Sequence, residues 1–323
     1  MKPSFHHKLV NSPLEDPCLF VRILRERRAL QFDLGDIGRL SAAEMNRITD
    51  VFISHAHIDH FIGFDRLLRV LLRRETPLSV YGPPGIISCV AGKLRGYTWN
   101  LITDYPAVIN VIAFSGRRIS RAVFRAKNRF RREAGETGES DGLLLKDPLF
   151  LVRAVRLDHD TACLAFSLEE ECHINIHRDA LVKKGLTVGP WLTLYKRFLR
   201  EADGDMSREF PINGKKYTLG QLADIAEFTR GQKIVYATDI AMTPGNISAL
   251  TRLARGADDF FCEAYFMEKD RDRALERFHL TAKACGSIAR NAGAKRLSVV
   301  HISPKYSDSP EKVIEEATRE FGR

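Results

Sequence analysis

Six consecutive residues, His55-Ala56-His57-Ile58-Asp59-His60, carry four side chains able to bind a metal ion. Chance would place such an H-x-H-x-D-H run in a chain of this composition on the order of once per two thousand sequences. The segment follows Asp50–Ser54, an apolar run that reads as a β-strand. Residues i and i+2 of an extended chain leave on the same side, so His55 and His57 can share one ion. Asp59 and His60, in the turn before a helical pattern that starts at Phe64, can address a second ion beside it. Imidazole and carboxylate donors suit zinc best, with manganese or iron as the other options.

Four ligands do not fill two metal sites, so the remaining donors must come from other strand ends. His159 follows the apolar run Leu149–Arg156, Asp239 follows Lys233–Thr238, and His301 closes Leu297–Val300. Singly, a strand-end histidine is more often a satisfied polar group than a ligand; jointly the three complete the set. His6, His7, His173 and His177 lie in polar context and read as surface residues.

The elements that must position these side chains alternate along the chain. Further strand-like runs are Cys18–Leu24, Ala29–Leu34, Leu78–Tyr81, Val108–Phe114, Cys163–Leu168 and Asp258–Cys262. Helical periodicity marks Phe64–Arg73, Gly85–Lys93, Pro190–Leu199, Gly245–Arg255, Thr281–Ala292 and Ser309–Phe321. The mixture predicts an α/β fold with covered sheets and no internal repeat. The chain has 323 residues, 44% of them hydrophobic and 28% charged, which excludes disordered, collagen-like and coiled-coil readings. Its six cysteines show no C-x-x-C spacing, against a disulfide framework or a cysteine-rich zinc knuckle. No apolar stretch approaches the roughly 20 residues that span a bilayer, and the first residues lack a signal-peptide core. The expectation is a cytoplasmic protein with no membrane association.

The formal charge is +9, from 50 Lys and Arg against 41 Asp and Glu. Two stretches interrupt the alternation. Arg117–Arg132 holds eight Lys or Arg and no acid, with Phe124 and Phe130 interleaved. Glu169–Gln232 is long, mixed and punctuated by Gly and Pro, and reads as an excursion from the body.

With these residues in place, the chain resembles the metallo-β-lactamase superfamily and, within it, ribonuclease Z, the endonuclease family that trims the 3′ end of precursor tRNA. The resemblance rests on Val51-Phe52-Ile53-Ser54 leading into the histidine segment, on Tyr81-Gly82-Pro83-Pro84-Gly85, and on Lys233-Ile234-Val235-Tyr236. It continues through Glu263-Ala264, His279-Leu280-Thr281 and His301-Ile302-Ser303-Pro304-Lys305-Tyr306, and runs from about Asp33 to Tyr306. It implies a four-layer αββα sandwich forming one hydrolase domain over residues 1–323, with an inserted exosite arm within 169–232. In this pattern His55, His57 and His159 hold one zinc, Asp59, His60 and His301 the other, and Asp239 bridges them. A hydroxide activated by both ions would attack the phosphodiester, with Asp59 as the base that orients it. His279 would protonate the departing 3′ oxygen and Glu263 would orient His279. The arm, here with Lys183-Lys184-Gly185 through Pro190 followed by Lys196, Arg197 and Arg200, would grip the RNA. A homodimer is expected on the same ground.

Departures bear on the substrate rather than on metal binding. Lys8-Leu9-Val10-Asn11-Ser12-Pro13 stands where the family has a Gly/Ser-rich turn, and Gly35-Asp36-Ile37-Gly38 where Gly-Glu-Gly is usual. Ala237-Thr238-Asp239-Ile240 replaces Ser-Gly-Asp-Thr, and Cys262 and Tyr265 replace the His and Thr that flank Glu263. The leading reading is therefore a zinc endoribonuclease. The alternatives are a small-molecule hydrolase on the same scaffold (cyclic-nucleotide phosphodiesterase, lactonase or thioesterase) and a non-catalytic RNA-binding protein. The cationic stretches favour RNA, since a lactone has no use for them.

Overall fold

A computed structural model describes residues 4–24, 26–202 and 204–323. The first sheet is built in chain order from β1 (Phe5–Leu9), β2 (Leu19–Ile23), β3 (Ala29–Phe32), β4 (Ile48–Phe52), β5 (Leu78–Gly82), β6 (Val108–Phe114), β7 (Arg118–Arg125) and β8 (Arg132–Glu139). Strands β3 to β6 run parallel, with antiparallel hairpins on either flank. Parallel strands are covered on both faces, which is why β4 reads Ile-Thr-Asp-Val-Phe with four of five residues buried. All four parallel strands end on one side, and in open α/β sheets that carboxyl edge is where ligands bind.

The second sheet opens with β9 (Leu143–Lys146), β10 (Phe150–Asp158) and β11 (Ala162–Glu170). The chain then forms β12 (Cys172–Ile176), β13 (Glu209–Ile212), β14 (Lys215–Thr218) and β15 (Ala226–Arg230), and returns to the second sheet with β16 (Lys233–Ala237), β17 (Asp259–Glu263) and β18 (Leu297–Val300). The order in that sheet is β18-β17-β16-β11-β10-β9, with β16, β17 and β18 parallel.

Residues fall into two compact units. The larger comprises residues 5–144, 152–168 and 233–323. Within it, the helix Phe64–Leu71 buries Phe64, Leu67, Leu68 and Leu71 at helical spacing. Together with the helix Ile86–Arg95 it shares one apolar cluster with Val51, Val80 and Val111 of the first sheet. A second cluster joins the helices Pro244–Ala254, Ala282–Asn291 and Pro310–Phe321 to Val235, Phe260 and Val299 of the second sheet. The sheets meet through aromatic rings: Phe166 lies 5.9 Å from Phe32 and 5.6 Å from Phe52, and Tyr236 lies 5.9 Å from Phe32. Each such pair adds about 0.5–1.5 kcal/mol beyond the area it buries.

Eight strands escaped the sequence reading: β1, β7, β8, β9 and the four short strands β12 to β15. β1 is Phe-His-His-Lys-Leu with only Phe5 buried, and β8, Arg-Glu-Ala-Gly-Glu-Thr-Gly-Glu, is almost wholly exposed. Both lie on the edges of the first sheet, where polar residues are tolerated and no apolar run is required. His7 departs from its surface assignment: its Nε2 lies 3.2 Å from Asp259 Oδ2 and its ring packs edge-on against Phe261 at 5.1 Å.

The smaller unit takes Ser4, residues 145–151 and the described residues of 169–232, with two short ladders, β12·β15 and β13·β14. Its own core gathers Ile174, Leu181, Tyr195, Phe210, Leu222 and Ile225, and the Tyr195 hydroxyl donates to the Leu222 carbonyl at 2.6 Å. The helix Trp191–Glu201 does not present its cations on one open face. Lys196 and Arg200 are half-buried and Lys196 Nζ donates to the Ile174 carbonyl, while exposed Arg197 lies 3.8 Å from Glu201. Lys196 and Arg200, one turn apart, border the buried Leu192-Tyr195-Leu199 stripe, while Arg197 points away from it. His173 is likewise not a surface residue, since its Nδ1 lies 3.0 Å from the buried Glu170 carboxylate. Among the described residues, no helix is long and apolar enough to cross a membrane.

Candidate metal centre

Every predicted ligand lies in the larger unit, at the carboxyl ends of its strands. β4 ends at Phe52, two residues earlier than expected, so Ser54 and His55 belong to an irregular segment pinned by Leu164 N donating to Ser54 O at 2.9 Å. His57 precedes a short helix, Ile58–Phe61, that holds Asp59 and His60; the expectation was a plain turn. That helix is fastened to the end of β3 by Leu34 N donating to His60 O (2.9 Å) and Gly63 N to Leu34 O (2.8 Å). A Cβ at position 63 would stand 2.3 Å from Gly35 O, so the approach requires glycine. His159 lies in the turn between β10 and β11, Asp239 beyond β16, Glu263 at the end of β17, and His301 beyond β18.

The structure brings all nine predicted site residues together. Donor atoms of His55, His57 and His159 lie within 4.8 Å of one another, as do those of Asp59, His60 and His301. Asp239 sits between the two groups. Its Oδ1 is 3.4 Å from His159 Nε2, and its Oδ2 is 3.0 Å from His60 Nε2 and 3.2 Å from His301 Nδ1. Yet His55 Nε2, His60 Nε2, His301 Nδ1 and Asp239 Oδ2 are buried and make no aligned hydrogen bond. Buried polar atoms are almost always paired, so four that converge unpaired on one place fit a shared cation. His279 and Glu263 complete a further group with Asp239 and His301.

Around this centre the ring orientations are fixed from outside. His60 Nδ1 bonds Asp33 Oδ2 at 2.8 Å, and His159 Nδ1 donates to the Phe278 carbonyl at 2.7 Å. Both leave Nε2 facing the centre. Asp33, wholly buried, also accepts from Ser54 N (2.6 Å), Ser54 Oγ (2.8 Å) and the Tyr236 hydroxyl (3.0 Å). His279 Nδ1 lies 2.8 Å from Glu263 Oε2, while Glu263 Oε1 accepts from Ile240 N at 2.8 Å and Leu280 N at 3.0 Å. The Tyr265 ring lies flat on His279, with centroids 3.8 Å apart and planes 7° apart. Asp33, Asp239, Phe278 and His301 all adopt left-handed backbone, an uncommon state for residues with a Cβ that clusters at functional sites.

No family model matches the chain. It is 28% identical over 277 residues to ribonuclease Z of Deinococcus radiodurans, covering 84% of this chain and 81% of that protein. Its fold matches human tRNase Z, short form, with a TM-score of 0.53 at 19% identity, covering 93% of both chains. It also matches the metallo-β-lactamase fold protein YhfI of Bacillus subtilis, with a TM-score of 0.57 at 15% identity, covering 98% of this chain and 92% of that one. The chain has the metallo-β-lactamase fold and resembles ribonuclease Z in sequence.

The fold and the His/Asp groups are consistent with a metal site, and the electrostatics of the centre suit a cation. Burial drives His55 down to about 2, so that ring is neutral and free to ligate. Burial acts the same way on His60 and His301, but carboxylates outweigh it. Asp239 and Asp33 raise His60 well above its usual value, and Asp239, Asp59 and Glu263 push His301 up to about 10. An arriving cation therefore competes with protons on these two rings, and metal affinity rises with pH through the neutral range.

Asp33 was not singled out from sequence, although it ends an apolar strand and directly precedes Leu34-Gly35. A partner that fixes a ligand ring is typically worth 10–100-fold in metal affinity. Asp33→Ala should lower metal affinity by about that factor in competition with a chromophoric chelator. An unchanged affinity would show that Ser54 Oγ, 3.2 Å from His60 Nδ1, holds the ring unaided.

The second half of the cationic run, residues 126–131, does not lie beside this centre. β7 stands three strands from β4, and Ala126 N bonds Ala107 O. Residues 126–131 therefore sit at the end where β6 begins, opposite the carboxyl edge that carries the ligands. Composition located the charge along the chain but could not give the strand direction that carries it away from the site.

Proposed function

We propose that the chain is a metal-dependent phosphodiesterase of the ribonuclease Z type, cutting 3′ trailers endonucleolytically from precursor tRNA. The observation that carries this reading is His279, oriented by Glu263 at 2.8 Å and placed against the metal-binding groups, with Nδ1 3.8 Å from Asp239. A 3′ alkoxide is a poor leaving group, so its expulsion calls for a positioned proton donor next to the centre. The name of the Deinococcus radiodurans relative supports the same substrate class.

In this reading His55, His57 and His159 hold one zinc ion, Asp59, His60 and His301 the second, and Asp239 both. Bound there, the ions would lower the pKa of water toward neutrality and polarise the phosphodiester. Asp59 orients the nucleophile. Burial opposes its ionisation, yet contacts with His301 and His60 hold its carboxyl well below the usual range, so it is charged and can orient the nucleophile by accepting a hydrogen bond. Glu263 takes the Nδ1 side of His279 and leaves Nε2 to meet the departing oxygen, while the stacked Tyr265 ring restrains the imidazole plane. The smaller unit serves as the RNA-gripping arm, with exposed Lys183, Arg197, Lys215 and Lys216 supplying charge. Zinc, suited to the imidazole and carboxylate donors, a cytoplasmic location and a homodimer, the last implied by the resemblance, belong to the same proposal.

Incubation with a 3′-extended precursor tRNA and with bis(p-nitrophenyl) phosphate, each with Zn²⁺ or Mn²⁺, tests the reading. Cleavage of both is expected. Hydrolysis of the small ester alone would assign a small-molecule hydrolase, and metal binding without cleavage of either would assign a non-catalytic protein.

A further inference from the structure

The cations displaced from the metal centre form a surface of their own. Arg95, Tyr97, Trp99, Arg129, Arg131 and Arg132 line a groove of about 500 Å³, and a second hollow lined by Lys127, Asn128, Arg129 and Arg131 shares two of those arginines. We propose that this groove binds a single-stranded RNA segment at a site separate from the metal centre. The proposal deepens the phosphodiesterase reading and rests on it only for which RNA arrives.

Three observations carry it. First, among the described residues Arg95, Lys127, Arg129, Arg131 and Arg132 form no ion pair, although the same chain pairs many of its other cations. The adjacent acid, Glu133, is already committed: it pairs with Arg125 and accepts from Asn128 Nδ2 at 2.6 Å. Five uncompensated positive charges on one short surface repel one another and favour an anionic ligand.

Second, the loop that presents them is built rather than slack. Arg129 and Phe130 both adopt left-handed backbone, held by Arg129 N to Ala126 O (2.7 Å), Phe130 N to Arg125 O (2.9 Å) and Arg131 N to Asn128 O (3.1 Å). The buried Phe130 ring anchors the loop against Trp99 at 4.9 Å, and Trp99 Nε1 donates to Leu94 O at 2.6 Å. Such a loop holds the guanidinium groups where bidentate contact with phosphate oxygens loses little freedom.

Third, Tyr97 is 47% exposed at the groove, with its ring 5.6 Å from Trp99. An open aromatic face among arginines offers base stacking beside phosphate contacts, the combination that binds single strands without sequence preference. A groove also admits a thin strand better than a flat bilayer or a broad protein face.

The test compares the full chain with the triple variant Lys127→Gln, Arg129→Asn, Arg131→Gln and with Tyr97→Leu. All four positions are exposed and lie outside the proposed catalytic machinery, and Asn tolerates the left-handed backbone at 129. The probe is a labelled polyuridylate about 12 nucleotides long, read by fluorescence anisotropy. The triple variant should bind it at least about tenfold more weakly near 0.1 M salt, with the slope of log affinity against log salt reduced by about 2. Tyr97→Leu should weaken polyuridylate binding about fivefold or more while leaving inorganic polyphosphate binding unchanged. Turnover of bis(p-nitrophenyl) phosphate should be unaltered in both. Unchanged RNA affinity and salt slope in the triple variant would overturn the proposal. So would a loss confined to vesicles of anionic lipid, which would assign the groove to a membrane surface. Failure of the phosphodiesterase reading appears differently, as no RNA cleavage by the unaltered chain while the binding differences persist.

Discussion

Replacing Asp239 with alanine should lower turnover of bis(p-nitrophenyl) phosphate by at least about 10³-fold while the protein stays folded. Asp239 is 3% exposed, and its two oxygens face the two groups of histidines from left-handed backbone just beyond β16. Its removal deprives both proposed ion positions of a shared anionic donor. It also leaves His60 and His301 buried without the buried carboxylate that both rings face. Metal activation of the nucleophile and charge stabilisation at phosphate are each worth several powers of ten, and the substitution weakens both at once. Asp239→Asn keeps the shape and loses the charge, so it should fall between the wild type and the alanine variant. Far-UV circular dichroism and metal content, measured on the same samples, separate lost chemistry from lost folding. An alanine variant retaining more than about a tenth of wild-type turnover would remove Asp239 from the centre.

His279→Ala should cost about 10²–10⁴-fold in turnover on RNA and clearly less on bis(p-nitrophenyl) phosphate. The reason is the leaving group. A ribose 3′ alkoxide needs a proton as the bond breaks, whereas nitrophenolate departs with its charge delocalised. The contact with Glu263 and the stack on Tyr265 hold His279 without occupying its Nε2. Glu263→Gln should reproduce part of the loss with the same substrate bias, since it removes the charge from the Glu263–His279 contact while retaining an acceptor. Equal losses on both substrates would show that His279 does not protonate the leaving group, and a loss below about tenfold on RNA would remove it from the mechanism.

How much of this was legible from sequence depends on how each residue is specified. His55, His57, Asp59 and His60 could be read because they are neighbours in the chain, even though the short helix at Ile58–Phe61 replaced the expected turn. His159, Asp239 and His301 were legible as lone polar residues after apolar strands, since strand ends converge where parallel strands finish. Glu263 and His279 came from the family resemblance, and no spacing rule would have paired residues that the fold brings to 2.8 Å. Asp33 was missed because one acid at a strand end has no pattern; its role lies in the His60, Ser54 and Tyr236 groups that the tertiary fold gathers onto it. The edge strand β8 gave no signal because exposure on an edge needs no apolar residues. The charge of Arg117–Arg132 was plain in the composition, but its position required the direction of β7.

The most direct test of the central claim is single-turnover cleavage of a 3′-extended precursor tRNA by the purified chain, with and without chelator. One internal cut is expected, yielding a tRNA body with a 3′ hydroxyl and an intact trailer, abolished by chelation and restored by Zn²⁺ or Mn²⁺. Stepwise loss of single trailer nucleotides, cleavage that persists after chelation, or intact RNA under conditions where bis(p-nitrophenyl) phosphate is hydrolysed would contradict it.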